Sequence, residues 1–287
     1  MPYAQINGFA AHYTEAGKGE TVVLLHAGGT SSAHWRKIAP QLQGRFRVVA
    51  PDLIGFGETG SWSGERELTH DDQAALVRGV IELGSEEGPA GPVHVAGHSY
   101  GGAVAVRLAL NCPELVKSLF LIEPVLTPLL RQAGEDKLFE MERSLANAFI
   151  ADYEAGRSAS AWRRFIDHHN GDGTWESLSG NARYRFLSMT RETADAYRSN
   201  LNNPTTLYDL RALTMPTLVA CGARTTETYR LICRILRGRI PGCANLDVEG
   251  AAHMSPLSHP DQIADAIDAH AGAFERGEGR LEQRSAA

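Results

Sequence analysis

The sequence predicts an α/β domain organised on a mostly parallel sheet, with a block of helices inserted late in the chain. Three observations carry this expectation. Four short apolar runs alternate with helical periodicity up to residue 123, the pattern of strands joined by crossovers. From about 125 to 210 no apolar β-run occurs, and amphipathic stretches such as 137–153 and 184–200 take over. Alternation resumes at Met215 and continues to a closing helix.

Taken in order, residues 3–6 and 10–15 flank Asn7-Gly8, a pair that favours the tight turn of a β-hairpin. The four apolar runs follow at 21–25, 47–49, 92–96 and 119–122. Between the third and fourth, the small residues of 102–110 make a helix that can pack closely on the sheet. Later strands are expected at 217–221 and 244–248, and a last helix from about 258 to 274. This divides the chain into a core of 1–124 and 211–276, a helical cap of 125–210, and a charged, frayed tail at 277–287. No internal repeat is visible.

Chemistry concentrates at Gly97-His98-Ser99-Tyr100-Gly101, which joins the third apolar run to the small-residue helix. A serine on so sharp a turn has its Oγ pushed to the C-terminal edge of the strand, in a backbone that flanking glycines permit. The N–H groups that follow open a helix, where negative charge is favoured. Ser99 is therefore the expected nucleophile. Its base is expected at His253, on the loop between the strand at 244–248 and the closing helix. That loop can reach the top of the sheet, and an imidazole has the near-neutral pKa that general-base chemistry at serine needs.

These motifs resemble the α/β-hydrolase superfamily, and the resemblance covers nearly the whole chain. It includes His26-Ala27-Gly28-Gly29-Thr30 after the strand at 21–25, and Pro51-Asp52-Leu53-Ile54-Gly55-Phe56-Gly57 after the strand at 47–49. Both loops are most similar to those of the haloalkane-dehalogenase and epoxide-hydrolase branch. The resemblance implies an α/β-hydrolase fold, an eight-stranded sheet flanked by helices with the cap inserted after the sixth strand. Enzymes of that branch attack with an aspartate at the elbow, whereas Ser99 stands here, which points to acyl transfer. The resemblance also places the oxyanion hole at the backbone N–H groups of Gly28 and Tyr100, although His26-Ala27 replaces the usual His-Gly.

The acid of the triad departs from the common pattern. Most relatives carry an aspartate shortly after the seventh strand, in the pattern Gly-x-x-Asp, where this chain has Gly222-Ala223-Arg224-Thr225. A threonine cannot hold an imidazolium by charge. Glu227 is two residues late and begins a helix, where an acidic side chain has an ordinary role. Glu123 ends the strongly apolar sixth strand on the same edge as Ser99, and a carboxylate there is costly unless paired. Some relatives place the acid at that strand. Glu123 is the favoured assignment, with Glu227, Asp247 or an acid-free dyad as alternatives.

Composition narrows the partners. The net charge is −6, from 28 basic and 34 acidic residues, and no basic run occurs, which argues against nucleic acid and anionic membranes. Cys112, Cys221, Cys233 and Cys243 lack metal-type spacing and read as buried free thiols. The segment Asp167-His168-His169-Asn170-Gly171-Asp172-Gly173 has ligand-type residues, but no second cluster completes a coordination set, so a glycine turn is expected and no metal or other cofactor. No apolar stretch approaches the roughly 18 residues of a membrane span, and no apolar leader follows Met1, so the expected location is the cytoplasm. A small-molecule substrate is the expected partner, and self-association into a homo-oligomer stays open.

Substrate choice is expected to lie with the cap, since insertions on a rigid scaffold carry specificity. Phe56, Leu126, Trp162, Phe165, Trp175 and Met254 are the expected apolar lining, with Tyr184, Phe186 and Met189 as further cap candidates. The leading function is a cofactor-free serine hydrolase of an ester, thioester or small amide. A C–C bond hydrolase of the same fold is the first alternative, but such relatives show Asn before the serine and Gly-Pro-Gly in the first loop, where this chain has His98 and Ala27-Gly28-Gly29. A slow-turnover, receptor-like binding protein is the second, and acyl transfer to peroxide or another nucleophile is also open.

Overall fold

The computed structural model describes residues 3–84 and 91–273; the expected tail at 277–287 lies outside the described residues. Strands β1 (Tyr3–Ile6), β2 (Phe9–Ala16), β3 (Thr21–Leu25), β4 (Arg47–Pro51), β5 (Val93–His98), β6 (Val116–Ile122), β7 (Thr217–Gly222) and β8 (Ala244–Val248) form one eight-stranded sheet. Its order is β1-β2-β4-β3-β5-β6-β7-β8. The pairings β1–β2 and β2–β4 are antiparallel and the remaining ones parallel. The first hairpin turns at Asn7 (φ 50°) and Gly8 (φ 85°), as the sequence of that turn demands.

The uninterrupted apolar runs make sense once both faces are seen to be covered. Val23, Leu25, Val95, Leu119, Leu121 and Val219 point into a core shared with helices α2 (His70–Glu82), α3 (Tyr100–Asn111) and α10 (Glu227–Arg239). Their neighbours Val22, Leu24, Ala96, Phe120, Ile122 and Ala220 point into a second core against α1 (Ala39–Leu42) and α12 (Pro260–Gly272). Side chains alternate between faces with a period of two, so a strand buried on both sides is apolar at most positions, and the buried polar pair His94 and Ser118 on β5 and β6 is bonded to itself at 2.8 Å.

Between β6 and β7 the chain is helical: α4 (Pro128–Gln132), α5 (Asp136–Glu154), α6 (Ser158–Asn170), α7 (Thr174–Ser177), α8 (Gly180–Leu187) and α9 (Thr190–Leu201). The amphipathic stretch at 184–200 is thus two helices. Near the break, the Ser188 hydroxyl donates to Arg185 O at 2.8 Å and the Thr190 hydroxyl to Leu187 O at 2.7 Å, side-chain bonds that compete with the helical ladder. The expected closing helix is α12, entered from a short turn, α11 (Ser255–Ser258), and His259 before Pro260 takes a non-helical φ of −130°.

Register sets the functional edge. Leu25 pairs with Gly97, His98 with Ile122, and Ile122 with Ala220, so β3, β5, β6 and β7 end side by side. Whatever follows Leu25, His98, Ile122 and Gly222 is delivered to one rim of the sheet.

Candidate active site

Ser99 follows β5 with φ 55° and ψ −117°, a backbone that L-residues rarely adopt. The turn is held from both sides: Ser99 N–H donates to Ile122 O at 2.9 Å, and Ser99 O accepts from Ala103 N–H and Val125 N–H, each at 3.1 Å. Only glycine fits around it, since a Cβ on Gly97 would meet Gly101 O at 2.5 Å and one on Gly101 would meet Leu25 O at 2.4 Å. One strand over, Glu123 also has a positive φ of 40°, and its N–H donates to Ala220 O at 3.1 Å. Two strained residues therefore stand at the ends of adjacent strands, where their side chains can converge.

They converge through His253. Its Nε2 lies 3.0 Å from Ser99 Oγ and its Nδ1 lies 2.7 Å from Glu123 Oε2. Since a carboxylate only accepts, Nδ1 carries the proton and Nε2 is free to accept from the serine hydroxyl. Glu123 is fully buried, yet its oxygens are satisfied: Oε1 accepts from Gly222 N–H at 2.6 Å, and Oε2 also accepts from the Thr225 hydroxyl at 2.7 Å. Of the alternative acids, Glu227 is exposed at the start of α10 and Asp247 pairs with Arg237 at 2.9 Å, 70% exposed.

Two further contacts hold His253, one to its ring and one to its backbone. Tyr229, in the first turn of α10, stacks on the ring with centroids 4.0 Å apart and planes within 13°. His98, the residue before the nucleophile, brings its Nε2 to 2.8 Å from His253 O and its Nδ1 to 3.1 Å from His34 Nε2. A carbonyl only accepts, so His98 Nε2 is the donor, and its Nδ1 then accepts from His34 Nε2–H. Burial holds both histidines neutral, His98 well below the usual range and His34 down to about 3, with the neighbouring His253 adding to each effect.

Gly28 and Tyr100 face the same space. A Cβ on Gly28 would lie 3.6 Å from the Tyr100 Cβ, and both residues line the cavity that also contains Ser99 and His253. The Tyr100 N–H is the first of α3, one of the groups a helix leaves without an internal partner. The loop bearing Gly28 is tied down by His26, whose Nε2 accepts from Leu53 N–H at 3.0 Å while its Nδ1 donates to Ala27 O at 2.8 Å. Burial lowers the His26 pKa, in keeping with this neutral tautomer. Asp52 braces the adjacent loop, accepting from Ser32 N–H at 2.6 Å, Glu58 N–H at 2.9 Å and His12 Nδ1 at 2.7 Å. Its burial opposes ionisation, but these bonds outweigh it and hold the carboxyl below its ordinary pKa. The substitution of Ala27 for the usual glycine is accommodated, with Ala27 buried at 3% exposure.

The cavity wall differs from the expected lining. Of the six side chains, Phe165 lines the cavity in front of Ser99. Phe56 and Leu126 are sealed in the sheet core, Phe56 edge-on to His26 and Tyr100. Trp162 and Trp175 form the interior of the inserted helices with Phe149, Phe186 and Met189, and Trp162 Nε1 donates to the Thr190 hydroxyl at 3.0 Å. Met254 begins the turn of α11, outside the cavity wall, and Tyr184 is 72% exposed. The largest aromatics pack the insertion on itself, since it needs a core of its own. The wall over Ser99 is made instead by Val125, Ala146, Phe149, Thr193, Tyr197 and Tyr229 with Phe165. Tyr229 carried one usable signal: it follows a strand at the C-terminal rim, where ligands of open α/β sheets bind.

In the segment 167–173, Asp167 Oδ1 accepts from Trp175 N–H at 2.8 Å, and Gly171 and Gly173 take positive φ; the side chains of His169 and Asn170 lie outside the described ones. Cys112, Cys221 and Cys233 are buried free thiols and Cys243 a half-buried one. Among the described residues no helix is long and apolar enough to cross a membrane.

A model of the alpha/beta hydrolase family matches residues 22–266. Part of the chain is similar to the soluble epoxide hydrolase of a Corynebacterium species, 39% identical over 132 residues, or 46% of this chain and 43% of that protein. It is similar also to the 2-hydroxy-6-oxo-6-(2'-aminophenyl)hexa-2,4-dienoic acid hydrolase of Metapseudomonas resinovorans, 33% identical over 123 residues, 42% of this chain and 41% of that one. The chain thus matches less than half the length of these curated relatives. Among solved structures, an alpha/beta hydrolase enzyme from a Medee basin deep-sea metagenome library superposes with a TM-score of 0.79 at 14% identity, covering 94% of this chain and 97% of that one, a likeness of fold.

Proposed function

Since the chain belongs to the alpha/beta hydrolase family, we propose that it is a cofactor-free serine hydrolase that cleaves a small ester, thioester or amide through an acyl-enzyme. The observation that carries this reading is the chain of contacts Ser99 Oγ–His253 Nε2–His253 Nδ1–Glu123 Oε2, at 3.0 Å and 2.7 Å. His253 takes the Ser99 proton as Oγ attacks the carbonyl carbon, and Glu123 stabilises the imidazolium that forms. The N–H groups of Gly28 and Tyr100 receive the developing oxyanion, each such donor being worth roughly 2.7–4 kcal/mol of barrier. His253 then returns the proton to the leaving group, and a water activated by the same ring splits the acyl-enzyme.

The cavity in front of Ser99 measures about 70 Å³, well below the roughly 300–1,000 Å³ of ordinary ligand pockets. That favours a short acyl group. The serine at the elbow separates this chain from aspartate-dependent epoxide opening, and His98 with Ala27-Gly28-Gly29 separates it from the C–C hydrolase pattern. The test is labelling with a fluorophosphonate, followed by turnover of nitrophenyl esters of rising chain length. Labelling should vanish in Ser99→Ala, turnover should drop by several orders of magnitude, and rates should peak at short chains. Labelling that persists in Ser99→Ala would remove the serine from this role, and an unlabelled wild-type chain would favour the receptor-like alternative.

A further inference from the structure

The cavity in front of Ser99 is walled mainly by uncharged side chains, and one carboxylate stands among them. Glu142 lies on α5, where residues 142, 145, 146 and 149 share one helix face and all four line the cavity. The half-buried side chain turns inward. After burial, its charge is the first cause that raises the phenol pKa of Tyr197 on α9 and of Tyr229 on α10, and His168 on α6 and His253 act on it in return. These four residues line the same cavity. A carboxylate that acts on side chains from four separate elements lies between them.

No fixed cation neutralises it. Among the described residues no lysine or arginine pairs with Glu142. Arg164, also in the wall, is turned to Asp152, its Nη2 donating to Oδ2 at 3.1 Å, and Asp152 is not part of the wall. Burial pushes the Glu142 carboxyl above its ordinary pKa, so its charge is costly there until a counter-charge arrives. Beside it, Phe149, Phe165 and Tyr197 form an aromatic cluster in the same wall, with ring centroids 5.2, 6.2 and 6.3 Å apart. Ring faces attract cations, and aromatic cages are a recurrent way to bind alkylated ammonium groups. A neutral hydrocarbon would fill the space between the rings and leave the carboxylate uncompensated. An alkylammonium group satisfies both.

We propose that Glu142, with the rings of Phe149, Phe165 and Tyr197, forms a binding subsite for an alkylammonium group, so that the substrates are small esters or amides that carry a cationic amine. This rests on the serine-hydrolase reading and narrows it to a substrate class. The amine belongs to either the acyl or the leaving group, and the arms of the test separate the two; no covalent step is added.

The experiment uses two pairs of esters of matched shape and fixed charge: acetylcholine with 3,3-dimethylbutyl acetate, and betaine ethyl ester with ethyl 3,3-dimethylbutanoate. Each kcat/KM is divided by the ester's rate with hydroxide to remove intrinsic reactivity. The wild type should prefer the cationic ester about tenfold in one pair. A preference for acetylcholine places the amine in the leaving group, and one for the betaine ester places it in the acyl group. Glu142→Gln should abolish most of that preference. Glu140→Gln, which removes an exposed carboxylate on the same helix that accepts from Arg143 Nε at 2.8 Å, should leave it unchanged. If neither pair turns over, the rate of Ser99 labelling by a fluorophosphonate is read instead, with tetramethylammonium chloride against sodium chloride. Tetramethylammonium should slow labelling in the wild type and not in Glu142→Gln. With Ser99 labelling intact, the absence of any cation effect in the wild type, or an equal effect in Glu142→Gln, overturns the subsite alone. A wild type that does not label at Ser99 overturns the hydrolase reading and this one with it.

Discussion

The hydroxyl of Thr225 donates to the carboxylate of Glu123 at 2.7 Å, across the ends of two neighbouring strands. Thr225 follows β7, in the slot where the resemblance placed an acid, and its partner Glu123 follows β6, one strand nearer Ser99. The same Oε2 receives His253 Nδ1 at 2.7 Å, so threonine and histidine meet on one oxygen. Glu123 Oε2 is thus held by two donors, one from the loop after β7 and one from the loop after β8.

If this pair of hydrogen bonds orients the base, Glu123→Gln should lower turnover by about 10⁴, by analogy with the loss of the carboxylate from other triads. Thr225→Val should cost about tenfold, since a hydrogen bond to a charged group is worth roughly 1.5–3 kcal/mol. The double variant Glu123→Gln with Thr225→Asp should recover at least tenfold over Glu123→Gln alone, because it restores a carboxylate beside His253 Nδ1. Glu227→Gln and Asp247→Asn should change kcat by less than about twofold, as solvent-exposed carboxylates do. Steady-state kinetics on one nitrophenyl ester decides all four, and a critical Glu227 with a dispensable Glu123 would return the acid to the strand after which relatives usually carry it.

The rim of the sheet was legible in the sequence because its determinants are local. A glycine-flanked serine after an apolar run, a carboxylate ending another, and a histidine after the last strand each state their position by what surrounds them. Glu123 was readable for a physical reason: a charge ending a strand as apolar as Leu119-Phe120-Leu121-Ile122 must have a partner. The cavity wall was not readable in this way. Trp162 and Phe165 lie three residues apart on one helix, yet only Phe165 faces the cavity while Trp162 packs the interior of the inserted helices. Which side of an amphipathic helix meets the sheet depends on how the helices dock, and the break at Ser188-Met189 redirects the second half of that stretch.

His98 should act as a positioning residue, through the backbone carbonyl of His253 rather than through the reacting atoms. Its Nε2–H bond to that carbonyl at 2.8 Å, backed by His34 at 3.1 Å, anchors the loop that carries the base. His98→Leu removes this donor from the half-buried His253 carbonyl, a loss of roughly 0.5–1.5 kcal/mol, and loosens the loop that carries the ring. The expectation is a kcat lowered about tenfold with KM little changed. His98→Gln, which can place a donor near the same point, should recover most of the loss. A Leu variant with normal kcat, or a Gln variant no better than Leu, would leave His98 with a packing role alone.

Acid should unfold this protein earlier than its carboxylates require. Burial is the first cause that pushes His34 down to about 3 and His70 down to about 4, whereas an unfolded chain titrates its histidines near 6.5. Both are neutral in the folded state, and the unfolded chain binds the extra protons once the pH falls below about 6.5. Stability from these groups is therefore complete above that value and is lost as the pH falls towards the folded-state values. Between pH 6.5 and 5 each can contribute a loss of at most about 2 kcal/mol. Urea midpoints measured across that window should fall steadily in the wild type. His70→Gln, which can keep a polar contact to Asn200 where His70 Nε2 now sits 3.2 Å from Oδ1, should show a visibly flatter slope. A slope identical to wild type would mean that His70 does not hold its neutral form against protonation, and the buried histidines would not be the source of the acid sensitivity.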